Sequence, residues 1–224
     1  MYKKCFKRVI DFCVTLIGFL LISPFFLILC LLVRIKLGSP IFFKQLRITK
    51  DERAFWIIKF RTMTDGRDKY GNLLPDTERF TKFGDFLRNS SLDELPELLN
   101  VLEGDMSLVG PRPLYPKYLP YYTKEESLRH TVRGGITGLA QINGRALCRW
   151  KERFAYDVEY AKTCSLWGDV KILWRTFFKV ASSEDIGVPS VTDEGGLHII
   201  REVQQPEKVA VVDEINKKYQ LNYE

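Results

Sequence analysis

The most constraining feature of this chain is one apolar run near its N-terminus. Residues 9–33 read VIDFCVTLIGFLLISPFFLILCLLV, and Asp11 is the only charged residue among them. As a straight helix, this run extends roughly 37 Å, which is long enough to cross a bilayer. The run therefore predicts a membrane element, and a chain of 224 residues leaves room for one modest folded core beside it.

A cleaved signal peptide is a poor interpretation of this run. Basic residues precede it, as in a signal peptide, but no A-x-A-like cleavage site follows the apolar stretch. Residues 27–30 (LILC) are similar to a lipoprotein box, yet the bulky Leu29 directly before Cys30 does not fit one. We therefore expect the run to stay in the mature protein.

Ser23 and Pro24 lie near the middle of the run and separate two further interpretations. A proline removes a backbone donor and bends a helix, and the Ser23 hydroxyl can bond a carbonyl that the proline frees. Basic residues flank both ends of the run: Lys3, Lys4, Lys7 and Arg8 before it, and Arg34, Lys36, Lys44, Arg47 and Lys50 after it. The positive-inside rule places both groups in the cytoplasm, which favours a re-entrant helix broken at Ser23-Pro24. A spanning helix with a proline kink stays the alternative.

The basic charge of the chain is confined to this N-terminal segment. The net charge is +6, residues 1–50 contribute +8, and residues 51–224 contribute −2. A nucleic-acid-binding domain needs a basic patch on its folded part, so the pattern favours an anionic membrane surface and no nucleic-acid partner. The five cysteines include no CxxC pair, which argues against a disulfide framework or a structural zinc site and suits a reducing cytoplasm.

The remaining chain predicts a compact, mainly helical domain. Residues 41–48 and 54–60 are rich in β-branched and aromatic residues and flank a polar turn, which predicts a β-hairpin. A polar loop is expected over residues 64–78. Helices are expected over residues 80–88, from Ser90 or Ser91 to Gly104, and around 116–130, 152–163 and 167–181.

The predicted fold class is mainly α with a small β-hairpin. We expect a re-entrant (monotopic) membrane helix over residues 1–38. A compact cytoplasmic catalytic domain with interfacial amphipathic helices is expected over residues 39–181. Residues 182–224 form a weakly patterned tail to which we assign no role.

The predicted helix over residues 167–181 carries two different faces. Its aromatic and apolar face comprises Trp167, Val170, Trp174, Phe177, Phe178 and Ala181, and its basic face comprises Lys171, Arg175 and Lys179. Such a helix suits the lipid interface. An ordinary core-packing helix with a solvated basic stripe is the alternative.

Residues 90–96 (SSLDELP) contain the acid pair Asp93 and Glu94. Ser91 with Glu94 fits a capping box, in which the acids merely stabilise the start of a helix. The same geometry keeps a carboxylate ionised, and an ionised carboxylate can attack phosphorus or hold Mg²⁺. The basic residues elsewhere in the chain favour this second interpretation.

Several arginines stand in contexts that suit phosphate binding. Arg88 lies about one helical turn before Ser91. Arg112 lies between two prolines, which lowers the ordering cost of gripping a phosphate. Residues 133–145 contain four glycines between Arg133 and Arg145, so that backbone N–H groups can approach an anion closely.

Four other residues are candidates for contacting a ligand. Lys59 and Arg61 lie at the end of the second predicted strand, and an exposed strand edge is the alternative interpretation. Asp157 and Tyr160 form an i,i+3 pair on a predicted helix, where an ordinary surface or core hydrogen bond is the alternative.

Common catalytic motifs are missing from the sequence. There is no GxxxxGK[ST] phosphate loop, no GxSxG nucleophile elbow and no DxD metal motif. His130 and His198 stand without a partner at metal-ligand spacing. No aspartate lies five residues after His130, which disfavours an acyltransferase of the H-x4-D kind.

Six motifs follow one another along the chain: Ser23-Pro24, 59–63 (KFRTM), 91–96 (SLDELP), 104–107 (GDMS), 110–113 (GPRP) and 135–141 (GITGLAQ). Together, over roughly residues 1–180, they resemble the small monotopic phosphoglycosyl transferases, a family of bacterial sugar transferases, in the minimal single-domain form. The family usually has Arg-Pro-Gly where residues 133–135 read RGG, so a looser loop is expected here.

The resemblance implies a two-step reaction. Asp93 attacks the β-phosphate of a UDP-sugar, expels UMP and holds the phospho-sugar covalently until polyprenyl phosphate attacks it. Glu94 helps to bind Mg²⁺ together with Asp93 or serves as a general base, and these roles stay open. The residues expected to bind the substrates, by the resemblance or as candidates named above, are Lys59, Arg88, Arg112, Arg145 and Asp157.

The resemblance also implies a place in the cell. The enzyme lies in the bacterial inner membrane in contact with its lipid, faces the cytoplasm, and passes its product to downstream glycosyltransferases. The sugar and the pathway stay open, and a hexose-1-phosphate transferase for capsule or exopolysaccharide is one alternative. A non-catalytic membrane scaffold is the alternative from a different class.

Overall fold

The computed structural model describes residues 2–143, 149–181 and 197–219. Within these ranges the chain is mainly helical and contains two small two-stranded sheets. The predicted combination of a mainly helical fold with a β-hairpin is confirmed, and a second sheet is added to it.

One long helix carries the apolar run. After a π-helical turn over Tyr2–Phe6, helix α1 extends continuously over Lys7–Leu37, and among the described residues it is the one helix long and apolar enough to cross a membrane. The Ser23 hydroxyl donates at 2.8 Å to the carbonyl of Leu20, which Pro24 leaves without its helical N–H partner. The expected hydrogen bond of Ser23 is confirmed. The helix is not divided at Pro24, and the re-entrant path stays a prediction.

A β-hairpin follows α1, as predicted. Strands β1 (Phe42–Ile48) and β2 (Ala54–Phe60) pair antiparallel in a register that places their first and last residues opposite each other. A 3-10 turn over Lys50–Glu52 joins the two strands.

Three short helices lie after the hairpin: α2 (Asp76–Arg79), α3 (Lys82–Asn89) and α4 (Glu97–Glu103). Gly104 ends α4 in the left-handed conformation with φ 94°, as the sequence predicts. The predicted start of this helix is wrong. Ser91 is itself left-handed with φ 55° and its side chain caps nothing, so the acid pair lies in a separate 3-10 turn over Leu92–Glu94.

A second, parallel sheet forms where no strand was predicted. Strands β3 (Met106–Val109) and β4 (Gly134–Thr137) pair side by side. Between them the chain forms two 3-10 segments, Pro116–Tyr121 and Glu126–Thr131, instead of the single helix predicted around residues 116–130. Pro120 lacks a backbone donor and so opposes a regular α-helix there.

Five helices complete the described chain: α5 (Leu139–Asn143), α6 (Trp150–Thr163), α7 (Leu166–Ala181), α8 (Leu197–Gln204) and α9 (Val209–Lys218). Helices α6 and α7 match the predictions for residues 152–163 and 167–181. Helices α8 and α9 lie in the tail, for which no helix was predicted.

Both ends of α1 pack against the same folded domain. At its first turns, Lys7 Nζ lies 2.6 Å from Asp169 Oδ2, and the buried Asp11 accepts a hydrogen bond from Ser107. At its last turns, buried side chains of α1 form one cluster with the hairpin and α3: Phe26, Leu29, Val33, Leu37, Phe60 and Leu87. The middle of the helix is exposed and apolar, with Leu20 at 63% and Leu21 at 76%.

The aromatic face of α7 points away from the core. Trp167 is 78% exposed, Trp174 is 65% exposed and Phe177 is 67% exposed, whereas Asp169 and Ile172 are buried. The core-packing interpretation of this face is therefore wrong. Contact of the face with lipid stays a prediction.

Candidate active site

Three charged side chains from separate segments meet at one point. The Lys59 ammonium lies 2.7 Å from Oε1 of Glu94. The Arg112 guanidinium contacts both oxygens of the same carboxylate, with Nη2 on Oε1 and Nη1 at 3.4 Å from Oε2. Charge-assisted hydrogen bonds of this kind are stronger than neutral ones, so the Glu94 carboxylate is held from two sides.

The docking of α4 on β2 brings these groups together. Asn100 is fully buried, and its side chain bonds both the N–H of Ile58 (3.0 Å) and the carbonyl of Trp56 (2.8 Å). These two hydrogen bonds hold α4 against the strand that carries Lys59. The 3-10 turn with the acid pair lies directly before α4, so it comes to rest beside Lys59. Asn100 was not among the residues predicted from the sequence, because no local pattern signals its role.

The two adjacent acids have very different electrostatic surroundings. Burial and the neighbouring Glu94 charge raise the pKa of Asp93 to about 6, although Lys59, Arg112 and Arg88 act in the other direction. Burial would also raise the pKa of Glu94, but Arg112 and Lys59 outweigh it and hold that pKa at about 2. The Asp93 carboxylate forms no hydrogen bond or ion pair with any residue that the structure describes. Divergent pKa values in neighbouring acids indicate different roles.

Glu97 is a third acid at this point that sequence analysis missed. Its side chain is fully buried, and Lys59 Nζ lies 3.3 Å from its Oε1. Its two oxygens have no hydrogen-bond partner among the described residues. Burial, followed by the charge of Glu94, raises the pKa of Glu97 to about 7. The signal in the sequence is its position one helical turn after the acid pair.

Arg88 stands beside this group, at the last turn of α3. Its Nε donates to Thr62 Oγ1 at 2.9 Å, and its guanidinium lies over the Phe80 ring at 4.8 Å. Gly84 permits the close approach of α3 to this segment, since a Cβ there would lie 1.8 Å from the Thr62 carbonyl oxygen. Arg88 is exposed and close enough to lower the pKa of Asp93.

Asp157 does not join the group around Asp93. It is 2% exposed, and its Oδ2 accepts from Arg129, with Nε at 3.0 Å and Nη2 at 2.9 Å. Arg129 Nη2 also donates to the main-chain carbonyl of Arg112 at 2.7 Å. Asp157 therefore supports the segment that carries Arg112, and its predicted contact with a substrate stays a prediction.

The remaining candidates from the sequence are Tyr160, Arg61 and Arg145. Tyr160 is buried, with its hydroxyl 2.7 Å from Asp169 Oδ1. Arg61 turns toward Asp65, whose Oδ2 lies 2.7 Å from its Nη2. Arg145 lies outside the described residues, so its predicted role in phosphate binding stays a prediction.

The glycines at the start of β4 pack against other backbone segments. The N–H of Gly134 donates to Thr49 Oγ1 at 3.1 Å, and the N–H of Gly135 donates to the carbonyl of Pro111 at 3.0 Å. For these two N–H groups, the predicted approach to an anion is wrong because both are already bonded within the protein. The glycines instead allow β4 to lie against the segment that carries Arg112.

Comparison with known proteins identifies a family and several relatives that are all described as sugar transferases. The sequence model of the family described as bacterial sugar transferase matches residues 2–183. The chain is 51% identical over 180 residues to the uncharacterized sugar transferase EpsL of Bacillus subtilis, a match that covers 80% of this chain and 89% of EpsL.

Two relatives carry a more specific description, UDP-glucose:undecaprenyl-phosphate glucose-1-phosphate transferase. The one from Klebsiella pneumoniae is 41% identical over 184 residues, and the one from Escherichia coli is 39% identical over 187 residues. These matches cover 78% and 79% of this chain but 40% of each relative.

Proposed function

This chain belongs to the bacterial sugar transferase family and is a phosphoglycosyl transferase, and we propose that it transfers a sugar 1-phosphate from a UDP-sugar to polyprenyl phosphate with release of UMP. The observation that supports this chemistry is the difference in charge pairing between the two adjacent acids. Glu94 is held by two cations, while Asp93 beside it is unpaired among the described residues.

Asp93 acts as the nucleophile in the first step. One of its carboxylate oxygens forms a bond to the β-phosphorus of the UDP-sugar. The bond from that phosphorus to the bridging oxygen breaks, and UMP leaves with the electron pair. Asp93 then carries the phospho-sugar as a mixed anhydride. A carboxylate without a strong partner keeps its electron pair available for this attack.

Polyprenyl phosphate is the nucleophile in the second step. Its phosphate oxygen attacks the same phosphorus, the bond to Asp93 breaks, and the free carboxylate returns. A phosphate monoester is largely ionised near pH 7, because its second pKa is about 6, so this step needs no strong base. The covalent intermediate allows the two phosphorylated substrates to use one small site in turn.

Glu94 organises the site and does not act as a general base. A carboxylate whose pKa is about 2 is a weak base at neutral pH, and both of its oxygens contact cations. It orients Lys59 and Arg112, which carry positive charge toward the phosphates, and together with Asp93 it would hold a metal ion. Arg88 adds a third cation at the exposed edge of the site.

Mg²⁺ is the proposed cofactor. Among the described residues, no three acids, histidines or cysteines gather as a metal site. Mg²⁺ commonly takes only one or two carboxylates and completes its shell with water and substrate phosphates, so Asp93 and Glu94 fit this ion and would hold it. When bound, Mg²⁺ neutralises charge on the phosphates.

The packing of α1 supports the re-entrant path. A helix that crosses the hydrocarbon core leaves its ends roughly 30 Å apart on opposite sides. Here, Lys7 at the start and Val33 near the end are both buried against one catalytic domain. Because that domain lies on one side of the membrane, both ends of α1 lie on that side too. Because basic residues flank both ends of the apolar run, that side is the cytoplasmic side of the inner membrane.

The curated relatives support the donor class. Two of them are described as using UDP-glucose and undecaprenyl phosphate, so a UDP-hexose is the first donor to test. The resulting polyprenyl diphosphate sugar is a substrate for downstream glycosyltransferases, whether for exopolysaccharide, capsule or another glycan.

The experiment measures UMP release by the purified protein with a panel of UDP-sugars, polyprenyl phosphate and Mg²⁺. Wild type is expected to release UMP, and Asp93→Asn is expected to release none. Asp85→Asn, an exposed acid on α3, is the matched control and is expected to be active. With the donor alone, intact-mass analysis is expected to show one added phospho-sugar on wild type. UMP release by Asp93→Asn at the wild-type rate would remove Asp93 as the nucleophile.

A further inference from the structure

The C-terminal helices dock on the middle of the catalytic domain. The family match ends at residue 183, so α8 and α9 lie beyond it. Both helices contact the 3-10 segment Pro116–Tyr121. Leu197 at the start of α8 is 1% exposed and packs into one cluster with Leu114, Tyr118, Tyr122 and Phe154.

Arg201 ties α8 to the next 3-10 segment, Glu126–Thr131, through a largely buried ion pair. Its Nη1 lies 2.8 Å from Glu126 Oε2, and its Nη2 lies 2.6 Å from Glu126 Oε1. Nη1 also donates to the main-chain carbonyl of Tyr121. The two side chains are 15% and 14% exposed, so this bidentate pair is shielded from solvent far better than an ordinary surface ion pair.

The cluster beneath α8 leads directly to Arg129. The Tyr122 ring lies 5.3 Å from the Phe154 ring, and Arg129 lies over both rings at 5.7 and 5.8 Å. Arg201 also lies over the Phe154 ring, at 5.7 Å. The position of Arg129 therefore depends on aromatic side chains that α8 covers.

Arg129 in turn holds the backbone of Arg112. Its guanidinium is 2% exposed, pairs with Asp157 and donates to the Arg112 carbonyl at 2.7 Å. Arg112 then reaches Glu94 in the active site. A continuous series of contacts thus extends from Arg201 in the tail to the acid pair.

We propose that α8 and α9 are a clamp that sets the position of Arg112, with Arg201 as its positioning residue. The role assigned to Arg112 rests on the proposed function, whereas the mechanical link from Arg201 to Arg112 does not. Removing the clamp loosens the aromatic group under α8, then Arg129, then the Arg112 backbone. Because Arg112 holds donor phosphate, loss of the clamp weakens donor binding more than it slows turnover.

The activity test compares three variants in the full-length protein. Arg201→Ala is expected to raise the KM for the UDP-sugar roughly 5-fold with kcat changed less than about 2-fold, and Arg201→Lys is expected to recover part of the loss. Lys217→Ala, an exposed lysine on α9, is the matched control and is expected to behave as wild type. An unchanged KM in Arg201→Ala would overturn the proposal.

A double-mutant cycle separates positioning from general destabilisation. In an Arg112→Lys background, Arg201→Ala is expected to change kcat/KM less than about 2-fold, because the residue through which it acts has already been altered. The same fold loss in both backgrounds would show that Arg201 acts independently of Arg112.

Hydrogen–deuterium exchange tests the clamp independently of the catalytic activity. In Arg201→Ala, the amides of residues 108–114 are expected to exchange several-fold faster than in wild type. The exchange rates in the hairpin of residues 42–60 are expected to be unchanged. Equal exchange of residues 108–114 in both proteins would contradict the proposed clamp even if the enzyme is active. Absence of UMP release by wild type would instead contradict the proposed function. Failure of the clamp and failure of the proposed function are therefore distinguishable.

Discussion

The Lys59 ammonium lies 2.7 Å from the Glu94 carboxylate and 3.3 Å from the Glu97 carboxylate, so one cation contacts two acids. This arrangement leaves Asp93 next to a cationic group but unpaired among the described residues. The same side chains that prepare Asp93 for attack also place buried charge at the start of α4. Such a site is expected to lower the stability of the folded protein, and this relation can be measured.

Asp93→Asn is expected to abolish transfer and to stabilise the protein. The pKa of Asp93 is about 6 in the folded protein against 3.8 for the free group, so the folded state loses stability as pH rises from about 4 through 6. Above pH 6, removal of the carboxylate is expected to raise the free energy of unfolding by about 1–3 kcal/mol.

Thermal unfolding of Asp93→Asn and wild type at pH 5 and pH 7.5 measures this effect. The difference in Tm is expected to be larger at pH 7.5. A variant that is less stable than wild type at both pH values would contradict the account of Asp93 as a buried and penalised carboxylate.

The acid limb of the pH profile is expected to report the ionisation of Asp93. Because the nucleophile must be ionised, kcat/KM for the UDP-sugar is expected to fall as pH drops through about 6. Lys59 holds the pKa of Asp93 down, so Lys59→Met is expected to shift this limb to higher pH.

Initial rates of UMP release between pH 5 and 8 measure the limb. Lys44→Met on the exposed part of β1 is the control that removes a positive charge elsewhere on the hairpin. A limb that stays in place in Lys59→Met, or that moves to lower pH, would exclude this role of Lys59.

Glu97→Gln is expected to stabilise the protein above neutral pH. The carboxyl of Glu97 ionises at about pH 4.5 in the unfolded chain and at about 7 in the folded protein, so stability falls as pH rises between these values. Glutamine has the same shape without the charge, and the free energy of unfolding at pH 8 is expected to rise by about 1–3 kcal/mol.

Denaturant unfolding at pH 5 and pH 8 tests this expectation. The gain should be small at pH 5, where the buried acid is still protonated. Glu103→Gln, at the exposed end of α4, is the control and should show no such pH dependence. Equal or lower stability of Glu97→Gln at pH 8 would mean that Lys59 compensates the buried charge fully.

Both ends of α1 are expected to be cytoplasmic. Cys5 is exposed, and a variant that keeps it as the only cysteine reports the start of the helix. Lys50→Cys in a cysteine-free background reports the segment after the helix. A membrane-impermeant maleimide is expected to label neither site in intact spheroplasts and both sites after permeabilisation.

Cysteine labelling also separates the two paths through the membrane. Labelling of Cys5 from the outside, with position 50 protected, would establish a spanning helix and remove the re-entrant path. The acid-pair chemistry does not depend on that outcome, because Asp93, Glu94 and the cations around them all lie after the helix.

Local patterns in the sequence were sufficient to predict the elements whose formation depends on residues close together in the chain. Enrichment in β-branched and aromatic residues around a polar turn predicted the hairpin, Gly104 predicted the end of α4, and Pro24 with Ser23 predicted the hydrogen bond to a freed carbonyl. The start of α4 was missed because Ser91 is left-handed, a conformation that a capping-box pattern does not reveal.

Tertiary structure decided which functional groups meet. Lys59 and Arg112 lie 35 and 18 positions from Glu94 in the sequence, and the distance between them in space depends on the docking of α4 through Asn100. It also decided that Asp157 binds Arg129 and that the aromatic face of α7 is exposed. Residue type and spacing along the chain record propensities, whereas burial, charge pairing and shifted pKa values depend on atoms that only the folded chain brings together.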